Sequence, residues 1–176
     1  MTAPATTDPR AWIRDIPDFP KPGITFKDIT PMLGHPGAFR AVVDRLAEAF
    51  AGRSIDAVAA AEARGFIFGA PLALALEAGF VPIRKPGKLP YATLATEYQL
   101  EYGRDRLEVH TDAMGPGRRI LLIDDVLATG GTMSACCELV RQTGAEVVAC
   151  AFVVELTALQ GRARLAPCEV FSLIAY

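Results

Sequence analysis

The chain has 176 residues, of which 51% are hydrophobic and 22% charged, and its formal net charge is −2. This composition predicts one globular domain with a buried core and excludes a disordered chain. The acidic balance argues against a general nucleic-acid binder, and no apolar run approaches the ~20 residues of a membrane-spanning helix. Because the first eight residues also lack the basic and apolar regions of a signal peptide, we expect a cytoplasmic protein with neither nucleic-acid nor membrane partners.

The cysteines and histidines give no metal-binding pattern. The four cysteines have no CxxC spacing and lie in apolar surroundings, at Cys136, Cys137, Cys150 and Cys168. This pattern predicts buried free thiols in a reducing compartment. Neither His35 nor His110 has a nearby cysteine or an HExxH partner, so a protein-bound zinc is not expected.

The N-terminal part begins with a helix signal and continues into a proline-rich segment. Asp8 followed by Pro9 predicts a helix start, and we expect that short helix to reach about Ile16. Three prolines then disfavour regular structure, so residues 18–32 are predicted to form a stiff extended segment. Taken alone, its two aromatic side chains, Phe19 and Phe26, are predicted to pin the segment to a core.

The rest of the chain alternates between strand and helix patterns. Apolar periodicity predicts helices at about residues 36–51, 66–78, 131–143 and 157–165, and strands at 56–61, 80–84, from 120, 146–154 and 169–174. A long irregular connection covers residues 85–104, within which 95–102 and 106–110 are predicted to pair around Gly103. Such alternation predicts an α/β fold with a mostly parallel sheet.

Polar residues follow several of the predicted strands. Ligands of parallel α/β sheets lie at the carboxyl ends of the strands, so these residues are expected to meet there. They are Glu62 with Arg64, Arg84 with Lys85, Asp124 with Asp125, and the residues 129–132.

The stretch 120–132, Ile-Leu-Leu-Ile-Asp-Asp-Val-Leu-Ala-Thr-Gly-Gly-Thr, permits three interpretations. An apolar run ending in two aspartates is typical of a Walker B strand, but no GxxxxGK[ST] loop accompanies it. A dinucleotide-binding fold would need GxGxxG, which is also absent. In the third interpretation the acidic pair holds sugar hydroxyls, and the small-residue loop with the following helix N-terminus holds a monophosphate. That arrangement fits a ribose 5-phosphate.

The third interpretation coincides with a family resemblance. The stretch resembles the phosphoribosyl-pyrophosphate (PRPP) motif of the type I phosphoribosyltransferases, and residues 10–176 as a whole resemble the adenine branch of that family. The matching segments are residues 17–29 around Pro-Asp-Phe-Pro, Arg-Gly-Phe at 64–66, Arg-Lys-Pro-Gly-Lys-Leu-Pro at 84–90, Leu-Glu-Tyr-Gly at 100–103 and Val-Glu-Leu at 154–156. The PRPP motif identifies the superfamily, whereas the N-terminal segment and Leu-Glu-Tyr-Gly identify the branch.

The resemblance implies a fold, a reaction and partners. It implies one phosphoribosyltransferase domain over residues 1–176, with a base-binding hood at about 1–35 and a flexible β-ribbon flap at about 86–104. The implied reaction is Mg²⁺-dependent transfer of the phosphoribosyl group from PRPP to adenine, which gives AMP and pyrophosphate in purine salvage. The family also implies a homodimer.

The resemblance further assigns site residues. Asp124 and Asp125 would bind the ribose hydroxyls directly or through hydrated Mg²⁺, with no direct metal ligand assigned. Glu101 is our hypothesis for a proton partner of the purine. The 5-phosphate would be held by Ala128, Thr129, Gly130, Gly131 and Thr132. The pyrophosphate and flap residues would be Arg64, Lys85, Lys88 and Tyr102, of which Lys88 is a weaker candidate, as is Arg84. Adenine would contact Thr25, Phe26 and Lys27.

Two rival functions remain open. One is a regulator that keeps the PRPP pocket without catalysis. Such proteins normally carry a nucleic-acid-binding element or a basic face, whereas this sequence has neither a helix-turn-helix extension nor a positive net charge. The other is a phosphoribosyltransferase for hypoxanthine, guanine or xanthine. The Phe26 segment and the Glu101-Tyr102 pair argue against it.

Overall fold

The structure is a computed structural model that describes residues 8–100 and 103–176. By their contacts the residues divide into two compact units, Met1–Arg45 and Leu46–Tyr176. The single domain expected from the sequence therefore stays a prediction. No helix among the described residues is both long enough and apolar enough to cross a membrane.

The first unit contains two short strands that sequence patterns did not reveal. A 3₁₀ helix covers Pro9–Trp12, strands β1 and β2 cover Arg14–Ile16 and Phe26–Asp28, and helix α1 covers Thr30–Leu33. Helix α2, Pro36–Phe50, begins in this unit and continues past its end at Arg45. The Asp8 side chain accepts a hydrogen bond from the Arg10 N–H at 3.1 Å, which confirms the predicted helix start. The predicted end at Ile16 is wrong, because the helix stops at Trp12 and β1 follows.

Strands β1 and β2 pair in an antiparallel register with opposite charges across from one another. Arg14 faces Asp28 and Asp15 faces Lys27, with N–O distances of 2.6 and 2.8 Å. The three prolines lie in the connection between the strands, as expected. The prediction of a stiff extended segment at 18–32 is wrong for two parts of it, because residues 20–23 form bends and turns and α1 begins at Thr30, whereas β2 between them is extended.

The second unit contains the predicted parallel sheet. Its five strands are β3 (Ala57–Ala61), β4 (Gly79–Ile83), β7 (Arg119–Leu127), β8 (Glu146–Glu155) and β9 (Val170–Ala175), in the order β4-β3-β7-β8-β9. Every neighbouring pair in this sheet is parallel. The helices are α3 (Arg64–Ala75), α4 (Gly131–Gln142) and α5 (Gly161–Leu165), with a 3₁₀ turn at Thr157–Leu159. This architecture confirms the predicted α/β fold.

Three boundaries differ from the prediction in ways that matter for the site. Helix α3 begins at Arg64, two residues early, so this cation belongs to a helix start. Strand β7 continues to Leu127, so Asp124 and Asp125 lie inside the strand. The single helix predicted for 157–165 is interrupted at Gln160, whose φ of 51° is left-handed.

The irregular connection carries the predicted two-stranded ribbon. Strands β5 (Thr93–Leu100) and β6 (Gly103–His110) pair in an antiparallel register. The ribbon is therefore confirmed, although both strands begin earlier than predicted. Glu101 and Tyr102 lie outside the described residues.

Candidate active site

The connection from β7 to α4 forms a narrow cleft. Residues Ala128–Gly130 join the strand to the helix, and a cavity of about 160 Å³ lies along them and beside Arg64, Asp124 and Asp125. The first N–H groups of a helix have no acceptor within the helix, so the start of α4 offers donors to an anion. This geometry suits the phosphate group that the sequence predicted.

Gly130 fixes the path of this loop. Its φ is +78°, and a Cβ at this position would lie 2.7 Å from the Gly161 carbonyl oxygen. A Cβ at Gly161 would in turn lie 2.3 Å from the Ala128 carbonyl oxygen. The start of α5 therefore supports the phosphate loop from behind, and only glycine fits on either side of the contact.

The acidic pair lies near the end of β7, shortly before the loop. Asp125 is buried, with 5% of its surface exposed, whereas Asp124 is half-buried. The Asp125 backbone N–H donates to Oδ1 of Asp124 at 2.9 Å. Desolvation in the cleft, followed by the negative charge of Asp125, raises the pKa of Asp124 well above its usual value. Asp124 in the free protein therefore keeps its proton to a higher pH than an exposed carboxylate.

Helix α3 brings Arg64 to the acidic pair. A Cβ at Gly65 would lie 3.1 Å from Oδ1 of Asp124, and a Cβ at Gly69 would lie 2.9 Å from the Ala60 Cβ. These glycines allow the helix to pack closely on the sheet. Nε of Arg64 donates to Oδ2 of Asp125, and this hydrogen bond raises the pKa of the guanidinium further. The cation is thus positioned at the cleft by its own carboxylate partner.

A second cavity, of about 250 Å³, adjoins the first and contains Lys85. The Lys85 ammonium lies 3.0 Å from the Asp105 carboxylate. The Tyr98 hydroxyl donates to the same carboxylate at 3.2 Å and is hydrogen-bonded to Thr132. Burial alone would raise the pKa of Asp105, but the hydrogen bond from Lys85 and further donors lower it. A chain of polar contacts therefore joins the phosphate loop to Lys85.

The other two predicted cations share a different partner. Arg84 donates to Oε2 of Glu62 at 2.7 Å, and Lys88 donates to Oε1 at 2.5 Å. Burial tends to raise the pKa of Glu62, but the bonds from Lys88 and Arg84 lower it overall. Glu62 lines the second cavity, whereas Arg84 and Lys88 are absent from its described lining. Their role at an anion stays a prediction.

The predicted base-binding residues lie in the first unit. Phe26 and Lys27 belong to β2, and Thr25 precedes it. The Phe26 ring is half-buried and packs edge-on against Phe19, with ring centroids 5.3 Å apart. Lys27 pairs with Asp15, so its side chain is engaged while its backbone belongs to a two-stranded sheet.

The sequence missed two side chains that contribute to the geometry. Asp105 and Tyr98 lie across from each other in the ribbon register. The alternating pattern of the ribbon predicts that both side chains lie on one face. That pattern does not indicate that this face meets Lys85 and Thr132. Glu62 was noted at a strand end without a role. It proves to be the common partner of Arg84 and Lys88.

Comparisons with known proteins agree with this geometry. The family model of the phosphoribosyl transferase domain matches residues 32–174. The adenine phosphoribosyltransferase of Methylococcus capsulatus is 60% identical over 167 residues, which are 95% of this chain and 98% of the relative.

Solved structures agree as well. The crystal structure of adenine phosphoribosyltransferase from Thermoanaerobacter pseudethanolicus is 54% identical, covers 95% of this chain and 97% of its own, and has a TM-score of 0.92. The Saccharomyces cerevisiae enzyme, complexed with an imino-altritol bisphosphate and adenine, is 41% identical over 93% of this chain and 95% of its own, with a TM-score of 0.88. The chain therefore belongs to the phosphoribosyltransferase family, in its adenine phosphoribosyltransferase branch.

Proposed function

We propose that the protein transfers the 5-phosphoribosyl group from PRPP to adenine, giving AMP and pyrophosphate in purine salvage. The observation that carries this proposal is the convergence of Arg64, the Asp124-Asp125 pair and the loop at 128–132 around adjoining cavities. These groups supply a cation for the leaving pyrophosphate, carboxylates for the sugar and free N–H groups for the 5-phosphate. Relatives named adenine phosphoribosyltransferase support adenine as the base.

The charges of the site suit this reaction. As C1 of the ribose loses pyrophosphate, positive charge develops on the sugar and negative charge on the leaving group. Preorganised charges that match this separation stabilise the transition state. Arg64 and Lys85 would hold the phosphate oxygens, and Asp124 would accept hydrogen bonds from the ribose hydroxyls. Both cations are paired with carboxylates in the free protein, so substrate must exchange these partners.

The acidic pair also fits Mg²⁺. This ion prefers oxygen ligands, keeps several waters and is held by one or two carboxylates together with substrate phosphates. Asp124 and Asp125 would hold it, directly or through water, and the ion would neutralise charge on the pyrophosphate.

Adenine selection is proposed to reside in the first unit and the ribbon. Phe26 would stack on the purine, and the backbone groups of Thr25 and Lys27 would read its edge. Support comes from β2, which belongs to a two-stranded sheet and so has a backbone edge that β1 does not occupy. The ribbon would cover the site and exclude water, with Glu101 as proton partner for the imidazole ring and Tyr102 near the pyrophosphate.

We also propose that the protein acts as a cytoplasmic homodimer. Support for a dimer is the apolar face of α3, where Leu74 is 81% exposed and Ile67 is 37% exposed. The free cysteines suit a reducing compartment. Light scattering of the wild type should give twice the chain mass, and Leu74→Glu should shift it toward the monomer. A monomeric wild type at micromolar concentration would contradict the dimer.

One assay tests the proposed reaction. Purified protein with Mg²⁺ and PRPP is incubated with adenine, hypoxanthine, guanine or xanthine, and nucleotide formation is followed. Adenine alone should react, and Mg²⁺ removal should abolish turnover. Equal turnover of another purine would favour the second rival, whereas PRPP binding without turnover of any base would favour a regulator.

A paired variant tests the acidic residues. Replacing both Asp124 and Asp125 with Asn should lower turnover by about 100-fold or more, the usual scale for a preorganised electrostatic contact. Asp112→Asn, at an exposed turn, is the matched control and should retain activity. Unchanged turnover of the double variant at saturating PRPP would show that the pair is structural.

A further inference from the structure

Three cysteines that are distant in sequence meet where α4, β8 and the turn before β9 come together. Cys137 lies in α4, Cys150 in β8 and Cys168 in the turn before β9. Their Sγ atoms all lie within 4.8 Å of one another, and those of Cys137 and Cys150 are 3.5 Å apart. The first two are buried and the third is half-buried. The proposed phosphoribosyl transfer uses none of these thiols.

We propose that Cys137, Cys150 and Cys168 form a binding site for a thiophilic divalent metal ion of the zinc type, separate from the acidic cleft. Thiolates are the preferred ligands of such ions, and a Cys₃ set leaves a fourth tetrahedral position for water or an external ligand.

The spacing of the sulfur atoms suits this ion. With Zn–S bonds of about 2.3 Å, two thiolates of a tetrahedral site lie roughly 3.8 Å apart. The Sγ atoms of Cys137 and Cys150, 3.5 Å apart, lie close to this separation, and every Sγ pair in the cluster lies within 4.8 Å. Small rotations of the cysteine side chains about χ1 would therefore bring the three Sγ atoms to the separations of a tetrahedral zinc site. A disulfide would use only two of the three thiols and would leave their convergence with the third unexplained.

The charge around the cluster favours a divalent ion over a monovalent one. Three thiolates and a divalent cation carry a net charge of −1. The Arg141 guanidinium donates to Sγ of Cys168 at 3.2 Å, so one positive charge lies against the cluster and balances that net charge.

The cluster also has an entry path. A surface cavity of about 430 Å³ is bordered by Cys168 and Arg141, together with Pro167 and Gly144. An ion could reach the half-buried thiol from this cavity, and the fourth ligand would come from the same side. Ligand count, spacing, a hydrogen-bond donor to one of the ligands and access are the criteria for a plausible metal site.

Binding would connect three elements of the second unit. Helix α4 begins at the phosphate loop and carries Cys137 two turns later, while Cys150 and Cys168 belong to the sheet side. A bound ion would therefore hold α4 against β8 and the β9 turn. Because it binds the folded protein, it should raise the melting temperature.

The test uses Co²⁺ as a spectroscopic probe of the full-length, reduced, substrate-free protein. One equivalent should produce the intense thiolate-to-cobalt charge-transfer absorption and the visible bands of tetrahedral cobalt, and Zn²⁺ should displace it. Cys168→Ser should reduce the charge-transfer intensity and weaken Zn²⁺ binding at least about tenfold. Cys150→Ala should do the same. Circular dichroism would verify that each variant is folded.

Cys136 provides the matched control. It is buried, it is adjacent to Cys137 in sequence, and it does not belong to the cluster. Cys136→Ala should therefore retain the cobalt spectrum and the zinc affinity. Three results would overturn the proposal: no thiolate absorption in the wild type, equal absorption in Cys168→Ser, or equal loss in Cys136→Ala. A weak octahedral spectrum alone would assign the ion to the carboxylates and would likewise overturn it.

Discussion

The Lys85 ammonium lies 3.0 Å from the Asp105 carboxylate, which also accepts a hydrogen bond from the Tyr98 hydroxyl at 3.2 Å. Pyrophosphate binding at Lys85 would have to compete with this carboxylate. Lys85→Met should therefore weaken pyrophosphate binding about 10- to 100-fold, whereas Asp105→Asn should strengthen it several-fold because the competing charge is removed. Isothermal titration calorimetry measures both. Weaker binding in Asp105→Asn would show that this carboxylate orients Lys85 and does not compete with the ligand.

The polar chain from Thr132 to Lys85 gives a second prediction. Tyr98→Phe removes the hydroxyl that joins the phosphate loop to Asp105 while keeping the ring. We expect an increase in the KM for PRPP of about fivefold, since the net contribution of a hydrogen bond is ~1 kcal/mol. Tyr91→Phe, at a residue that is 62% exposed, is the control and should leave KM unchanged. Equal KM values for the two variants would show that the Tyr98 hydroxyl does not help to position the PRPP site.

The acidic pair should titrate in a predictable direction. The pKa of Asp124 is raised by desolvation and by the charge of Asp125, and the charge of Arg64 opposes this rise. Asp125→Asn should thus lower the pKa of Asp124, and Arg64→Met should raise it further. Carboxyl-carbon NMR of the metal-free protein measures both shifts. Shifts of the same sign in the two variants would contradict the electrostatic assignment.

Substitutions at Gly130 and Gly117 distinguish the effect of backbone strain on stability from the effect of close packing. Both have φ near +78°, but a Cβ at Gly117 meets nothing within 4 Å, whereas one at Gly130 meets the Gly161 carbonyl. Gly117→Ala should lower the free energy of unfolding by about 1–2 kcal/mol. Gly130→Ala should cost a further ~1–3 kcal/mol and weaken ribose 5-phosphate binding. Denaturant unfolding and calorimetry check the pair. Equal destabilisation would mean that the contact with α5 is easily relaxed.

The end of β8 contains a buried carboxylate whose cation partner comes from α5. Arg162 donates two 2.7 Å hydrogen bonds to Glu155, which is 4% exposed. These bonds, only partly opposed by burial, lower the pKa of Glu155. The resulting stability is present above the unfolded-state pKa and is lost as pH falls through the lower folded-state pKa. Arg162→Met should cost about 1–3 kcal/mol at neutral pH, since it leaves the charge unpaired.

Melting temperatures from pH 7 downward test this pair. The difference between the wild type and Arg162→Met should shrink as Glu155 becomes protonated. Arg53→Met, which removes an exposed ion pair with Glu169, is the control and should change stability by less than about 1 kcal/mol. A difference in melting temperature between the wild type and Arg162→Met that does not depend on pH would show that Arg162 stabilises the protein through packing alone.

Glu101 gives a kinetic prediction that rests on the sequence. If this residue exchanges a proton with the purine, Glu101→Gln should lower turnover by about 100-fold or more and should alter the pH–rate profile. A turnover rate and a pH–rate profile close to those of the wild type would show that Glu101 is not the proton partner.

Local signals in the sequence determined the fold class and the centre of the site. The apolar strands, the helix periodicities and the glycine-containing loop after Asp125 each depend on residues close in the chain, so pattern alone identified them. The short strand at Phe26–Asp28 was not predicted, because three residues give too little periodicity. Its cross-strand ion pairs become visible only once β1 lies beside it. Helix and strand ends were displaced for a similar reason, since packing and pairing decide them.

Tertiary structure alone decided which charges and thiols meet. Arg64 and Asp125 are 61 residues apart and pair because parallel strands β3 and β7 are neighbours and two glycines let α3 approach them. Lys85 meets Asp105 because the ribbon returns to the edge of β4, where Arg84 bridges Glu108. The cysteines showed no spacing motif, yet α4, β8 and the β9 turn bring three of them together. Sequence patterns report which residues share an element, whereas the order of strands in the sheet determines which elements share a site.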